Sequence, residues 1–153
     1  MSFSITIESF AECLDELKPL FPIHYKELAL NQDEVPLDPQ YEVYIAREQA
    51  GELLFVVVRD EEETIVGYFI GFIAPGLHYQ TCLTCTMDIF YVLQGSRGSQ
   101  LGFRLFKFVE RELRYRGVNR WFVGSKCHKD ASRLFEALEF EKVEVYYSKF
   151  LGA

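Results

Sequence analysis

The chain has 153 residues and a formal net charge of -7, with 49% hydrophobic and 25% charged residues. That size and mix suit one compact domain over residues 1–153 with a full core. The acidic balance, with no Lys/Arg cluster interleaved with aromatics, argues against nucleic acid as a main partner. No apolar run approaches the ~18 residues of a membrane span, because even residues 64–77 are interrupted by Pro75 and glycines.

In chain order, residues 3–8 alternate like a strand. Residues 11–30 carry apolar side chains at helical spacing, and Pro19 and Pro22 split them into two helical pieces. Residues 1–20 already hold Glu8, Glu12, Asp15 and Glu16, with no basic stretch leading into an apolar one. It therefore does not read as a secretory signal, and the expected location is the cytoplasm. A polar, proline-containing turn over residues 31–40 leads to a helix over 41–50, which Gly51 ends. Residues 53–59 and 65–73 are β-rich runs joined by the acidic turn 60–63 and predict an antiparallel hairpin. A loop is expected over 74–80 and a third strand over 81–92.

After a glycine-rich turn, Leu101, Leu105, Phe108, Val109 and Leu113 step along one helical face, with Gly117 behind Arg114 and Arg116 as the stop. A short strand over 121–125, a helix over 131–138 and a closing strand over 143–151 complete the pass. Strand, crossover helix and strand over 81–125 should form a right-handed parallel unit, while the other strands look antiparallel. The expected fold is α/β, of the α+β type: a mixed, mostly antiparallel sheet with a parallel βαβ unit and helices on both faces.

Charge and cysteines add less. The first 63 residues carry 15 acidic and 4 basic side chains and the remainder 8 and 12. A basic half around the glycine-rich turn suits a phosphate-rich ligand. The acidic half suits a cationic amine, or only a solvated surface. Cys82 and Cys85 form a lone Cys-x-x-Cys within a strand, where residues three apart point to opposite faces. Packing is the expected role of both, as of Cys13 and Cys127. Three scattered histidines show no metal spacing, so no metal is expected.

The stretch Val92-Leu93-Gln94-Gly95-Ser96-Arg97-Gly98-Ser99-Gln100-Leu101-Gly102 carries the most chemistry. A strand that passes through a glycine turn into a helix N-terminus aims free N–H groups and the positive end of the helix dipole at one point, which suits a phosphate. The loop ends without the Gly-Lys-Ser/Thr of a nucleotide triphosphatase. Glycines at 95, 98 and 102 do not fit the dinucleotide fingerprint. A second segment, His128-Lys129-Asp130-Ala131-Ser132-Arg133-Leu134-Phe135-Glu136-Ala137-Leu138-Glu139-Phe140, places Ala131, Leu134, Phe135 and Leu138 on one helical stripe.

Together the two segments resemble the acetyl-CoA motifs of the GNAT acetyltransferase superfamily. The first resembles Val-x-Pro-x-x-Arg-Gly-x-Gly-x-Gly and the second Asn-x-x-Ala-x-x-x-Tyr-x-x-x-Gly-Phe. Gln94, Gln100, His128, Phe135 and Glu139 depart from the family residues. The Cβ of Gln100 should disfavour a positive φ there.

The resemblance implies acetyl-CoA as co-substrate. Its pyrophosphate would lie on Arg97, Gly98, Ser99, Gln100, Leu101 and Gly102, and its pantetheine against the backbone of Phe90, Tyr91 and Val92, with His128 and Phe135 nearby. The implied reaction is N-acetylation of a small-molecule or peptide amine. Asp88, a carboxylate in an apolar run, is the candidate base, since burial would raise its pKa; the alternative is a carboxylate bonded to a neighbouring N–H. Phe135 cannot protonate the departing thiolate, which leaves Tyr146, Tyr147 or His128, with Tyr146 the expected acid. The resemblance also places His78-Tyr79 over the acceptor pocket, whereas His24 reads as a surface or core residue. Two other readings survive: a CoA-binding or sensing module that has lost transfer, and an interaction domain without a cofactor. A homodimer paired through the last strands is compatible with the pattern.

Overall fold

The computed structural model describes all residues except Met1, Ser99 and Ala153. The chain order is β1 (Ser4–Ile7), α1 (Phe10–Leu17), α2 (Leu20–Leu28), α3 (Tyr41–Gln49), β2 (Leu53–Arg59), β3 (Ile65–Gly76), β4 (Tyr79–Val92), a 3-10 turn (Gln94–Ser96), α4 (Leu101–Tyr115), β5 (Arg120–Phe122) and α5 (Ser132–Ala137). The strands form one sheet in the order β1-β2-β3-β4-β5, antiparallel except for the parallel β4–β5 pair.

Local chemistry sets the early helices. Ser9 caps α1, its side chain accepting from the Glu12 N–H, while the Glu48 carboxylate on α3 accepts from the N–H groups of Phe10 (2.6 Å) and Ala11 (3.3 Å). Those N–H groups have no partner within a helix, so α3 holds the start of α1. The chain breaks at Pro19, and Pro22 falls in the first turn of α2, where its missing donor costs nothing. Gly51, at φ +74, ends α3.

Because helices cover both faces, β2 and β3 read as nearly unbroken buried runs. On one face Leu54, Val56, Val58 and Phe69 pack against Leu101, Leu105, Phe106 and Val109 of α4 and against Phe135. On the other, Phe55, Val57, Tyr68 and Ile70 pack against Phe10, Leu17 and Phe21 of α1 and α2. Phe106, rather than the expected Phe108, is the fully buried aromatic of α4, edge-on to Phe69 and Phe90 and stacked on Trp121.

Three expectations fail. The residues expected to form a loop at 74–80 instead extend both strands into a tight hairpin with Leu77 and His78 at its tip. The strand expected at 121–125 shortens to Arg120–Phe122. The closing strand over 143–151 is not formed: 139–152 make no ladder among the described residues, and Val143, Tyr146 and Tyr147 are exposed. Alternation there buries neither set of side chains, so the pattern has no face to satisfy.

An acid-sensitive tie joins the first helix to the sheet. Arg59 on β2 donates to both oxygens of Glu8 (2.9 and 2.8 Å) and also bridges Glu16 (2.7 Å). The guanidinium holds the Glu8 pKa down, at about 2 instead of the usual 4.5. A depressed carboxylate contributes stability above its ordinary pKa and loses it as pH falls through its folded value. Urea midpoints should therefore drop between pH 4.5 and 2, with a contribution on the order of a few kcal/mol from this carboxylate. Glu8→Gln should flatten that segment of the profile. An unchanged slope would remove Glu8 from the account.

Candidate active site

The β4–β5 pair is joined only from Thr84 to Thr86, opposite Arg120 to Phe122. Beyond that point, among the described residues, no strand pairs with β4 over Met87–Val92 on that side, and the gap widens into a cleft of about 870 Å³. Its walls are this strand edge, the turn into α4 at Gly98, Gln100, Leu101 and Gly102, and the α5 face at Ala131, Leu134 and Ala137. The local sequence makes the opening. A strand that leaves its neighbour exposes backbone, and the glycines that follow let the chain turn sharply into a helix.

The turn fits a phosphate. Gly98 has φ +101, and a Cβ built there meets nothing within 4 Å, so the position opens into free space. The side chain of Gln100, the N-cap of α4, makes no capping bond. Leu101 and Gly102, in the first turn, have no intrahelical acceptor for their N–H groups, and both line the cleft. The Arg97 N–H does not join them, since it bonds back to Gln94 O at 3.4 Å. Gln100 adopts φ +55, against the expectation from its Cβ. The left-handed conformation costs about 1 kcal/mol for such a residue and is held by the helix that starts there. Ser99 lies outside the described residues.

Arg97 is engaged elsewhere. Its Nε donates to Val92 O (2.9 Å), its guanidinium pairs with Glu27 on α2 (2.8 Å) and it lies over the Tyr91 ring (5.3 Å). Glu27 also accepts from the Tyr91 hydroxyl and pairs with Lys129 (3.4 Å). The Arg97 guanidinium holds Glu27 well below the usual carboxylate range, at about 2. This network ties α2 to β4 and to the turn that follows it, beside the cleft. It was not legible in the sequence, because Glu27 lies 70 residues from Arg97.

Asp88 stands at a β-bulge. Ile70 faces Ile89 and Gly71 faces Met87, so Asp88 is the extra residue with no partner on β3. Its carboxylate is open to the cleft and accepts from the Tyr44 hydroxyl of α3 at 2.5 Å. Crowding by protein raises its pKa, and the Tyr44 bond opposes the rise. Asp88 also lines a second cavity of about 340 Å³ between α2, residues 36–39 and Tyr44. His24 lines both cavities, stacks on Tyr91 (4.6 Å) and hydrogen-bonds with Tyr68 (2.7 Å). Burial lowers its pKa to about 4, so it is neutral at pH 7.

Tyr91, Val92, Arg97, Gly98, Gln100, Leu101 and Gly102 come together with Asp88 around the cleft. Four expectations do not. Tyr146 is 88% exposed and lines neither cavity. Phe135 faces the core against Phe90 and Phe106 and leaves the α5 cleft wall to Leu134 and Ala131. His128 bonds the carbonyl of Leu28 instead of lining the cleft. His78-Tyr79 sits at the far end of β4 from Asp88, roughly 30 Å along the strand at 3.3 Å per residue, and so cannot overhang the site.

Comparison with known proteins agrees with this geometry. The sequence matches the model of the acetyltransferase (GNAT) family over residues 11–140. The chain belongs to that family. No curated protein matches the sequence significantly.

Among solved structures, the ribosomal-protein-alanine N-acetyltransferase of Brucella melitensis biovar Abortus 2308 is similar at TM-score 0.77 and 16% identity, with 100% of each chain covered. Glucosamine-6-phosphate N-acetyltransferase of Arabidopsis thaliana is similar at TM-score 0.73 and 14% identity, with 99% of each covered. A "predicted acetyltransferase with acetyl-CoA" of Clostridium acetobutylicum is similar at 0.71 and 9%, covering 98% of this chain and 97% of that one. At these identities the likeness is one of fold.

Proposed function

We propose that the protein is an acetyl-CoA-dependent N-acetyltransferase acting on a primary amine. The observation that supports this most is Asp88, at a bulge that lines both the cleft ending at the glycine turn and the second cavity. The residues of the turn fit the pyrophosphate of CoA, with the space at Gly98 and the N–H groups of the first turn of α4 as the cradle. The outer backbone edge at Phe90–Val92, apart from the Val92 carbonyl that Arg97 already holds, would then take the pantetheine amides. When bound, acetyl-CoA would supply an activated acyl carbon.

Asp88 would accept one proton from the incoming ammonium, which frees the nitrogen lone pair to form the C–N bond. The C–S bond breaks, and the sulfur leaves as thiolate. The second nitrogen proton passes to the thiolate or to water. Alignment across the two cavities supplies much of the rate, so a weak base suffices. Four free cysteines and the lack, among described residues, of any helix long and apolar enough to cross a membrane are compatible with work in the cytoplasm.

The test is release of free CoA thiol from acetyl-CoA across a panel of amines, paired with calorimetry of CoA alone. Thiol release with at least one amine is the expected result. Tight CoA binding without release for any amine would favour the sensing reading, and no binding would leave an interaction domain.

A further inference from the structure

The second cavity, which rests on the N-acetyltransferase reading for its role, has a composition that selects its amine. One wall is the inner face of α2, with Phe21, Tyr25 and Leu28, and the other is the connector at Pro36, Leu37 and Pro39. The connector is fixed: the Tyr25 hydroxyl donates to the carbonyls of Gln32 and Val35, and the Gln32 side chain donates to Lys26 O and Ala29 O. The rim carries two carboxylates, Asp38 and Asp88, against the single ammonium of Lys126. His24, which also lines the cavity, is neutral at pH 7. The cavity therefore favours positive charge and offers apolar and aromatic walls instead of a polar lining. At about 340 Å³ it is at the small end of ligand pockets.

We infer that the acceptor is a primary ammonium carried on a compact apolar or aromatic body, with its charge held between Asp38 and Asp88 and its body against α2 and the connector. A phosphorylated or otherwise anionic amino sugar is disfavoured twice. It would meet two carboxylates, and its hydroxyls would lose water against hydrocarbon without new partners. An aralkylamine and a peptide beginning with a large apolar residue share the favoured chemistry, and Asp38 would position either by attracting its ammonium while Asp88 takes the proton.

The experiment compares kcat/KM for 2-phenylethylamine, a tetrapeptide beginning with Phe, spermidine and glucosamine 6-phosphate, for the parent and for Asp38→Asn. Binding of 2-phenylethylamine to the CoA-loaded protein is followed in parallel by saturation-transfer NMR. The expected result is at least tenfold preference for one of the two apolar amines. In Asp38→Asn, KM for that amine should rise about fivefold with kcat kept, and the NMR signal should weaken.

Preference for 2-phenylethylamine over the peptide would identify a free small amine, and the reverse order a polypeptide N-terminus; either supports the inference. Equal or better turnover of spermidine or the sugar phosphate would overturn the acceptor class while leaving N-acetyl transfer intact. So would an unchanged KM in a variant that melts at the parent temperature. No thiol release with any amine, with CoA still bound, would overturn both readings together.

Discussion

Gly98→Val is expected to weaken CoA binding by at least ~100-fold, measured by calorimetry, with a cooperative melt retained. Two effects act together. At φ +101 a β-branched residue is strained, and its methyl groups would project into the open space that a phosphate would occupy. Hydrogen bonds to a charged acceptor are each worth about 1.5–3 kcal/mol, so excluding the pyrophosphate from two N–H groups reaches 100-fold, or about 2.7 kcal/mol. Gly95→Ala supplies the contrast. Gly95 has open space around it and no positive φ, and it does not line the cleft, so that variant should bind CoA as the parent does. Equal affinities for all three proteins would detach the glycine turn from the cofactor.

The sequence carried those parts of the site that are local. A strand, a glycine turn and an amphipathic helix lie within some 35 consecutive residues, and periodicity alone placed α4 and its stop at Gly117. The reading of Phe108 over Phe106 shows the limit of a single helical face. α4 crosses the sheet broadly enough to bury Phe106, a fifth residue outside the narrow stripe. What depends on distant pairing was silent. Nothing near Asp88 announces that β4 gains a residue against β3 at that point, or that Tyr44 arrives from α3 to meet it. Glu27 reads as one more acidic residue of an exposed helix until α2 lands against Tyr91 and Arg97. The opposite failure occurs at 143–151, where local alternation is clear and no sheet edge takes it. The same holds for Tyr146, whose candidacy rested on that strand.

Asp88→Asn is expected to lower kcat by ~100-fold or more with the best acceptor, the usual range for loss of a positioned base. Asn retains an oxygen that can accept from Tyr44, so the bulge and the α3 contact should persist and CoA affinity should stay near the parent value. The pH dependence separates chemistry from structure. In the parent the base works only when ionised, so kcat/KM should rise with pH through the Asp88 pKa, which crowding places above the ordinary carboxylate value. The variant should lack that rise, and the gap should narrow at high pH, where the amine loses its proton unaided. Tyr44→Phe adds a directional check. Removing the hydroxyl removes a donor that favours the ionised carboxylate, so the acidic limb should move to higher pH while the plateau survives. Parallel profiles with equal plateaus in parent and Asp88→Asn would make Asp88 a structural residue of the bulge. Transfer would then rest on alignment alone, with water taking the proton.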